Sequence, residues 1–512
     1  AIVTAAANPV VSAGRTESLG MKEFDVAVIG GGINGCGIAR DAAGRRLSVL
    51  LVEQGDLASG TSSYSSKLIH GGIRYLENYD FRLVRESLRE RELLLKNAPH
   101  LVRPMRFVIP HVASMRPAWM MKLGIRLYDF LAGRSVLPRS RVLDLADDPA
   151  GAPLRMNAGI GFEYSDCVTD DARLVIANAI DARERGADIR TRTRLVSARR
   201  AGQRWEIVIA EGAKRETLHA RALVNAAGPW AANVIETIVK GVPPVRVRLV
   251  KGSHIVYPRL YSHDRAYVLQ SDDRRVIFVV PFGERHTLIG TTDVETSGDP
   301  GQATASAEEI QYLCRLAAHF FRTGVEPSRV VWTFAGVRPL IGDGKGSAST
   351  ATREYQIVAD GGYGEAPLLS LIGGKLTAFR AMSEDVVNRL GHWFAMRPAW
   401  TAHEPLPGGD LGSRGMEGLC ADLAREHTYL PEATARRIAL AYGRRAINML
   451  GNAKRIEDLG PLLVGDLRVR ELEYLRRHEW AKTADDVLFR RTKLGIGASN
   501  AEVDAVQAAL GA

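Results

Sequence analysis

The chain has 512 residues, with Lys+Arg 68 against Asp+Glu 58 and a formal net charge of +10. At roughly 150 residues per domain this leaves room for two to four domains with large cores, and 46% hydrophobic with 25% charged residues excludes disorder, collagen and coiled coil. No run of about 18 uncharged apolar residues occurs, which excludes a spanning helix but not a surface-lying contact, and the four scattered cysteines, Cys36, Cys167, Cys314 and Cys420, argue against a disulfide framework or zinc site and for a reducing cytoplasm.

Residues 1–20 lack a basic n-region and are interrupted by Asn8-Pro9, so they read as a disordered leader rather than a signal or transit peptide. Residues 24–29 form a β-branched apolar run that predicts a buried parallel strand. Gly30-Gly31-Gly32-Ile33-Asn34-Gly35 then opens a helix over 36–43, and a second strand over 47–52 ends at Glu53. This is the dinucleotide-binding unit. Gly30 permits the tight turn, Gly32 lets backbone approach a pyrophosphate, and Gly35 lets the helix lie close to the strand, so that its N-terminus faces the phosphates. Glu53 can accept from a ribose hydroxyl, although alone it is equally a solvated acid beside Gln54. The segment 56–66 is crowded with Ser59, Gly60, Thr61, Ser62, Ser63, Ser65 and Ser66, short donors suited to a long diphosphate and ribityl chain.

Next comes a helix from Asp80, whose side chain is expected to cap it, through Phe81, Val84, Leu88 and Leu95 to a stop at Pro99. Residues 101–141 hold Arg103, Arg106, Arg116, Lys122, Arg126, Arg134, Arg139 and Arg141 against Asp129 alone, interleaved with Trp119, Leu123 and Phe130. Such a basic amphipathic stretch suits an anionic lipid surface or a solvated helix. Residues 222–230 run from a strand into Ala226, Ala227, Gly228 and Trp230, where backbone can pass close to a cofactor. Strand-like text over 250–295 predicts an inserted mixed domain. Gly373-Gly374-Lys375 reads as a glycine turn entering a helix whose N-terminus faces a flavin pyrimidine. A linker at 405–409, Pro431 in a first helical turn, a basic helix over 433–450 and a last helix capped by Asn500 complete the text.

Four separated motifs carry a resemblance: the stretch Ser65-Ser66-Lys67-Leu68-Ile69-His70-Gly71-Gly72-Ile73-Arg74-Tyr75-Leu76-Glu77, then Gly290-Thr291-Thr292-Asp293, Gly336-Val337-Arg338-Pro339-Leu340 and Gly373-Gly374-Lys375-Leu376-Thr377. From Phe24 onward the chain resembles the FAD-dependent, membrane-associated glycerol-3-phosphate dehydrogenases. The resemblance implies hydride removal from C2 of sn-glycerol 3-phosphate to flavin N5, dihydroxyacetone phosphate as product, and a membrane quinone as electron acceptor. By matching position it implies that Arg74, Tyr75, Arg338, Arg353 and Lys375 surround the substrate, and that Leu68, His70, Gly71, Gly72, Gly374, Lys375, Leu376 and Thr377 lie at the cofactor. Ala378-Phe379 and Ile341-Gly342 depart from the family text, which puts local packing in question.

The residues alone support the same site. A small phosphorylated alcohol offers a dianion, and guanidinium forks meet phosphate oxygens bidentately. Arginines gathered near a flavin repel one another without an anion, which hints at an anionic substrate. Hydride leaves an alcohol carbon only as the hydroxyl proton departs, so a base or polarising cation is required. Arg338 and Lys375 are the polarising candidates, and His70 and His254 the candidate bases, undecided between them. The expected architecture is α/β: a discontinuous Rossmann-like FAD-binding domain over 21–404 with an inserted α+β substrate domain at about 76–165 and 246–330, followed by an all-helical C-terminal domain over 405–512. The expected setting is the inner face of the cytoplasmic membrane, as a peripheral protein, with no metal and no nucleic acid and with a homodimer left open. The competing expectations are an α-glycerophosphate oxidase or amino-acid oxidase that uses oxygen, and a basic flavin-containing nucleic-acid-binding protein.

Overall fold

The computed structural model describes residues 22–155, 159–244, 247–270, 275–341, 354–362 and 364–511. The expected leader and Arg353 lie outside the described residues. Two sheets organise the molecule. The first has the strand order Tyr355–Asp360, Leu368–Gly373, Lys214–Asn225, Glu23–Ile29, Val49–Val52, Asp188–Arg190, with Arg194–Ala201 and Arg204–Glu211 folded antiparallel onto Lys214–Asn225. Its central strands run parallel and are covered on both faces, which is why their text is continuously apolar. The period of two sorts Glu23–Ile29 cleanly. Val26 and Val28 pack on the helices Ile33–Gly44, Asp171–Glu184 and Phe379–Leu390, while Ala27 and Ile29 pack with Trp205 and Leu223 on the opposite face.

The second sheet is antiparallel and mixed, running Val294–Glu295, Val247–Pro258, His286–Gly290, Val276–Phe282, Ala266–Gln270, Val102–Pro110, Ile160–Thr169, Leu68–Ile69. Trp332–Ile341 pairs along the length of Val247–Pro258, placing Arg338 opposite Val250 and Phe334 opposite His254. The helix Ala307–Phe320, closed at its start by a Ser306–Glu309 capping box, packs Leu313, Ala317 and Phe320 onto Ile255, Tyr267 and Ile289. The fold is therefore α/β with an α+β second sheet, as the sequence predicts.

The C-terminal part is helical, with the addition of a short ribbon, Leu462–Val464 against Leu467–Arg468, which no pattern announced. Three expectations about helix ends are corrected. Asp80 sits at the N-cap of Phe81–Asn97, but its side chain accepts no helix amide. The basic run over 433–450 breaks at Gly443 (φ 55°) into Glu432–Tyr442 and Arg445–Leu450, with Pro431 at the N-cap position ahead of the first turn. The last helix, Asn500–Gly511, is closed by Ser499 rather than Asn500: Ser499 Oγ accepts from the Glu502 N–H at 3.3 Å and Glu502 Oε2 accepts from the Ser499 N–H at 2.9 Å. Residues 405–409 are tied down, with the Leu406 N–H donating to the Asn97 carbonyl at 2.8 Å.

The C-terminal residues reach back to the dinucleotide unit and its neighbouring helix through ion pairs that are buried or, for Lys493 with Asp170, partly buried. Arg490 and Arg491 both grip Asp56, Arg173 grips Glu479, and Lys493 Nζ donates to Asp170 at 2.9 Å. Removing one member of such a pair strands a charge in the interior, so these contacts fix the mutual placement of the segments more than they add net stability.

Candidate functional site

The site lies where the two sheets meet, and its nucleotide end is built by the turn after Glu23–Ile29. Gly30 adopts φ 108°, and a Cβ there would stand 2.6 Å from the Ala226 carbonyl oxygen. A Cβ on Gly35 would stand 1.9 Å from the Gly30 carbonyl oxygen, so the helix Ile33–Gly44 sits this close to the turn only because that residue has no side chain. Glu53 closes the cradle, with Oε2 accepting from the Gly31 N–H and Oε1 from the Gly55 N–H, both at 2.7 Å. Burial pushes the Glu53 carboxyl up, partly opposed by those two amides. The Ile33 N–H donates to Ser62 Oγ at 2.9 Å, and Asn34 Oδ1 is buried with no hydrogen-bond partner among the described residues. An orphaned acceptor in the first turn, short donors around it and an acid at the neighbouring strand end fit the ribose and pyrophosphate of a dinucleotide.

Of the other residues expected at the cofactor, Gln54 is exposed, and Ser59 lies beside Gly55. Gly60 faces the Trp230 ring, and Trp230 Nε1 donates to Asp299 at 3.1 Å. Thr61 Oγ1 donates to the Val337 carbonyl at 2.6 Å, tying this segment to the strand of Arg338. Ala226 is buried against Gly30, and Ala227 leads through Gly228 (φ 55°) into the turn Gly228–Trp230.

At the other end, Leu68 is paired in a short strand, and the His70 N–H donates to Thr377 Oγ1 at 3.0 Å. The Gly71 N–H faces Asp166 at 3.4 Å, and Asp166 is buried with Arg91 and Tyr128. Gly72 (φ 80°) turns the chain so that Tyr75 lies beneath it, and Lys375 Nζ stands 3.6 Å from the centroid of the Tyr75 ring. Lys375 follows the strand Leu368–Gly373 through Gly374 and stands at the N-cap position of the 3-10 turn Leu376–Ala378 without a side-chain capping bond, so the helix Phe379–Leu390 begins one turn later than the glycine text implies. Gly373 packs beside Pro339, which brings the strand of Arg338 next to the Lys375 turn.

Arg338 is held as a fork, NH1 donating to Asp293 at 3.0 Å and NH2 to Thr291 at 3.3 Å. His254 lies beneath it, stacked on Phe334 with ring centroids 4.8 Å apart, and its Nε2 is 2.9 Å from Ser66 Oγ. Burial holds the imidazole well below its ordinary range, and the Arg338 and Lys67 charges push it further down. His254 is therefore neutral at neutral pH. His70 is half-buried, edge-on to Phe278.

Of the arginines expected around the substrate, two lie among the described residues. Arg338 already has a counter-ion in Asp293, Arg74 is exposed on the turn that carries Tyr75, and Arg353 lies outside the described residues. Sequence reasoning quoted Thr291, Asp293 and Lys67 inside motifs but assigned them nothing, and it read Ser65 as a cofactor-lining donor, whereas its Oγ donates to Asp171. Their roles are set by pairing across the sheet, which spacing along the chain does not show.

The basic region 101–141 is a strand, Val102–Pro110, followed by the helix Ala118–Ala132, not one amphipathic run. Arg106 and Arg141 are committed to Glu163 at 2.6 and 2.5 Å. The helix still presents Trp119, Leu123 and Phe130 at 66%, 59% and 79% exposure, with Val136 beyond it.

Buried neutral histidines carry a stability consequence. His100 is pushed down to about 3 by burial, with Arg173 adding to the effect. Below the ordinary value of about 6.5 the unfolded chain binds a proton that the folded chain refuses, so stability falls with acidification between about 6.5 and 3, by roughly 1.4 kcal/mol per pH unit for such a group. Urea unfolding at pH 7 and 5.5 should show this loss, and His100→Gln should lessen it; an unchanged pH slope in that variant would remove His100 from the account.

Residues 25–380 match the FAD dependent oxidoreductase family (DAO), and residues 399–511 match the C-terminal domain of alpha-glycerophosphate oxidase. A glycerol-3-phosphate dehydrogenase of Pseudomonas aeruginosa is 49% identical over 489 residues, 95% of each chain. A D-erythritol 1-phosphate dehydrogenase of Brucella abortus is 47% identical over 481 residues, 93% of this chain and 96% of that one. Among solved structures, glycerol-3-phosphate dehydrogenase from Bacillus halodurans complexed with FAD superposes with a TM-score of 0.71 at 27% identity, covering 92% of this chain and 86% of that one.

Proposed function

Because this chain belongs to the FAD-dependent oxidoreductase family, we propose that it oxidises sn-glycerol 3-phosphate to dihydroxyacetone phosphate and passes the electrons to a membrane quinone. The observation that carries this reading is the juxtaposition, at one sheet junction, of a forked arginine, a lysine ammonium and a buried neutral imidazole: Arg338, Lys375 and His254. FAD is the cofactor, and when bound it supplies the acceptor for the C2 hydride.

The chain does the rest. Gly30, Gly32, Ile33, Asn34, Gly35 and Glu53 hold the nucleotide half, and the segment from Ser59 to Ser66, with Gly71, Gly72 and Thr377, lines the remainder. Arg338, fixed by Asp293 and Thr291, and Lys375 grip the phosphate, aided by Arg74, Tyr75 and Arg353. His254 takes the hydroxyl proton as the C2–H bond breaks, since burial keeps its imidazole neutral and ready to accept. Lys375 and Arg338 stabilise the negative charge that develops at the hydroxyl oxygen.

No described helix is long and apolar enough to cross a membrane. The exposed Trp119, Leu123 and Phe130 on a basic helix support a peripheral seat on the inner face of the cytoplasmic membrane, where a quinone is within reach. The similarity to the Brucella abortus protein supports a second reading, in which the alcohol is a four-carbon polyol phosphate. Steady-state turnover with a short-chain quinone separates the two: kcat/KM should favour sn-glycerol 3-phosphate over D-erythritol 1-phosphate, and the reverse order would replace the substrate. Peroxide formed in step with turnover, without quinone, would replace the acceptor by oxygen.

A further inference from the structure

The residues behind His254 form a device that the reaction as described does not use. Lys67 is buried, at 4% exposure, and its backbone is left-handed at φ 58°, a conformation that a lysine rarely adopts without tertiary reinforcement. Its ammonium donates to Asp171 Oδ1 at 2.8 Å and to the Ser63 carbonyl at 2.9 Å. The same aspartate accepts from Ser65 Oγ at 2.7 Å, and Ser65 Oγ in turn accepts from the Lys67 N–H at 2.9 Å. Residues 63–67 are thereby locked on Asp171, the fully buried first residue of the helix Asp171–Glu184.

On the side of this turn that meets Phe334, beside the Tyr64 ring, Ser66 turns its Oγ to His254 Nε2 at 2.9 Å. Phe334 completes the arrangement, with the Lys67 ammonium 5.1 Å from its ring centroid and the His254 ring stacked on it. His254 Nδ1 is buried and has no hydrogen-bond partner among the described residues. A ring whose Nε2 is engaged by a fixed hydroxyl has only Nδ1 left to receive a proton. For Nδ1 to carry the lone pair, Nε2 must carry the hydrogen and Ser66 Oγ must accept it.

We propose that Lys67, acting through Asp171 and the left-handed turn, is a positioning residue that holds Ser66 Oγ as the acceptor of His254 Nε2–H, so that Nδ1 is the basic atom presented to the alcohol. This rests on the reading of His254 as the base. The charged groups facing His254 are Arg338 from the paired strand, with Asp293 behind it, and Lys67 from the turn, with Asp171 behind it; Gly290 on the third neighbouring strand brings no charge. Removing the Lys67 ammonium takes away a cation and uncovers an anion. Both changes favour the imidazolium, so the proton affinity of His254 rises.

The test uses the flavin-loaded full chain with 15N-labelled histidine. In the parent protein His254 should show the Nε2–H tautomer from pH 5.5 to 8, with no titration in that interval. In Lys67→Met the fixed tautomer should be lost or an imidazolium should appear on the acid side, and kcat should fall on the order of 10- to 100-fold, within the range contributed by a positioned base. KM should move less than kcat, and the acid limb of the pH profile should shift upward. Lys67→Arg, which keeps charge and donors, should restore the tautomer and most of the turnover. Ser66→Ala leaves every charge in place, so it should free the tautomer without lifting the acid limb, and it serves where Lys67→Met fails to accumulate. A Nδ1–H tautomer in the parent, or an unchanged spectrum in folded Lys67→Met and in Ser66→Ala, overturns the proposal whatever the substrate. A fixed Nε2–H tautomer in a parent that sn-glycerol 3-phosphate does not reduce would sink the substrate reading alone.

Discussion

Replacing Arg338 by alanine is expected to lower kcat/KM for sn-glycerol 3-phosphate by about 10²- to 10⁴-fold while the flavin stays bound. Each charge-assisted bond from a guanidinium to a phosphate oxygen contributes roughly 1.5 to 3 kcal/mol, a fork makes two, and about 1.4 kcal/mol corresponds to one decade of rate. The effect should be large here because the fork is already aimed: Asp293 and Thr291 hold NH1 and NH2, and a Cβ on Gly252 would come within 2.4 Å of the guanidinium, so the arginine packs tightly against that strand. Pre-organisation of this kind means little rotamer freedom is lost on binding. Arg338→Lys keeps the charge without the fork and should fall between the two. The ratio of flavin to protein, read beside the kinetics, distinguishes loss of grip from loss of cofactor. Turnover in Arg338→Ala within a few-fold of the parent would place the phosphate elsewhere.

Gly35→Ala should yield protein without flavin. The added methyl group meets the Gly30 carbonyl at 1.9 Å, a clash with backbone that no rotamer relieves. Either the helix Ile33–Gly44 moves outward or the turn at Gly30 opens, and both distort the cradle proposed for the pyrophosphate. Forced overpacking of this sort costs about 1 to 3 kcal/mol or more, and the bound cofactor's own stabilisation is lost with it. Gly124→Ala makes the contrast. That glycine lies within the helix Ala118–Ala132 with nothing inside 4 Å of a built Cβ, so alanine should raise stability by up to about 1 kcal/mol. A yellow Gly35→Ala protein with the parent's midpoint of unfolding would contradict the packing account of the glycine turn.

The dinucleotide unit was legible because its signals are local. A continuously apolar strand, a turn that only glycine can make and an acid at the next strand end all sit within one stretch of chain, and the structure sets Gly30 and Gly35 in that turn with Glu53 bonded to its Gly31 N–H. The substrate end was legible only as motifs. Nothing along the chain says that Asp293 would neutralise Arg338, because the two are joined through the register of Val247–Pro258 with its neighbouring strands. For the same reason counting arginines along the chain does not show which of them carries a counter-ion, as Arg338 does in Asp293. Helix ends were the least legible: Asp80 and Asn500 have the right chemistry at the right place, yet in the second case the adjacent Ser499, with Glu502 three residues on, formed the reciprocal pair instead. The ribbon Leu462–Val464 with Leu467–Arg468 is too short for any period to register.

The central claim is that an anion-gripping pocket delivers a phosphorylated secondary alcohol to the flavin. Anaerobic titration of the purified protein, followed by the flavin band in the visible spectrum, tests it most directly. Stoichiometric bleaching by sn-glycerol 3-phosphate and none by glycerol at the same concentration is the predicted result. Equal bleaching by both would mean that the phosphate is not recognised, and no bleaching by the phosphate ester would contradict the account outright.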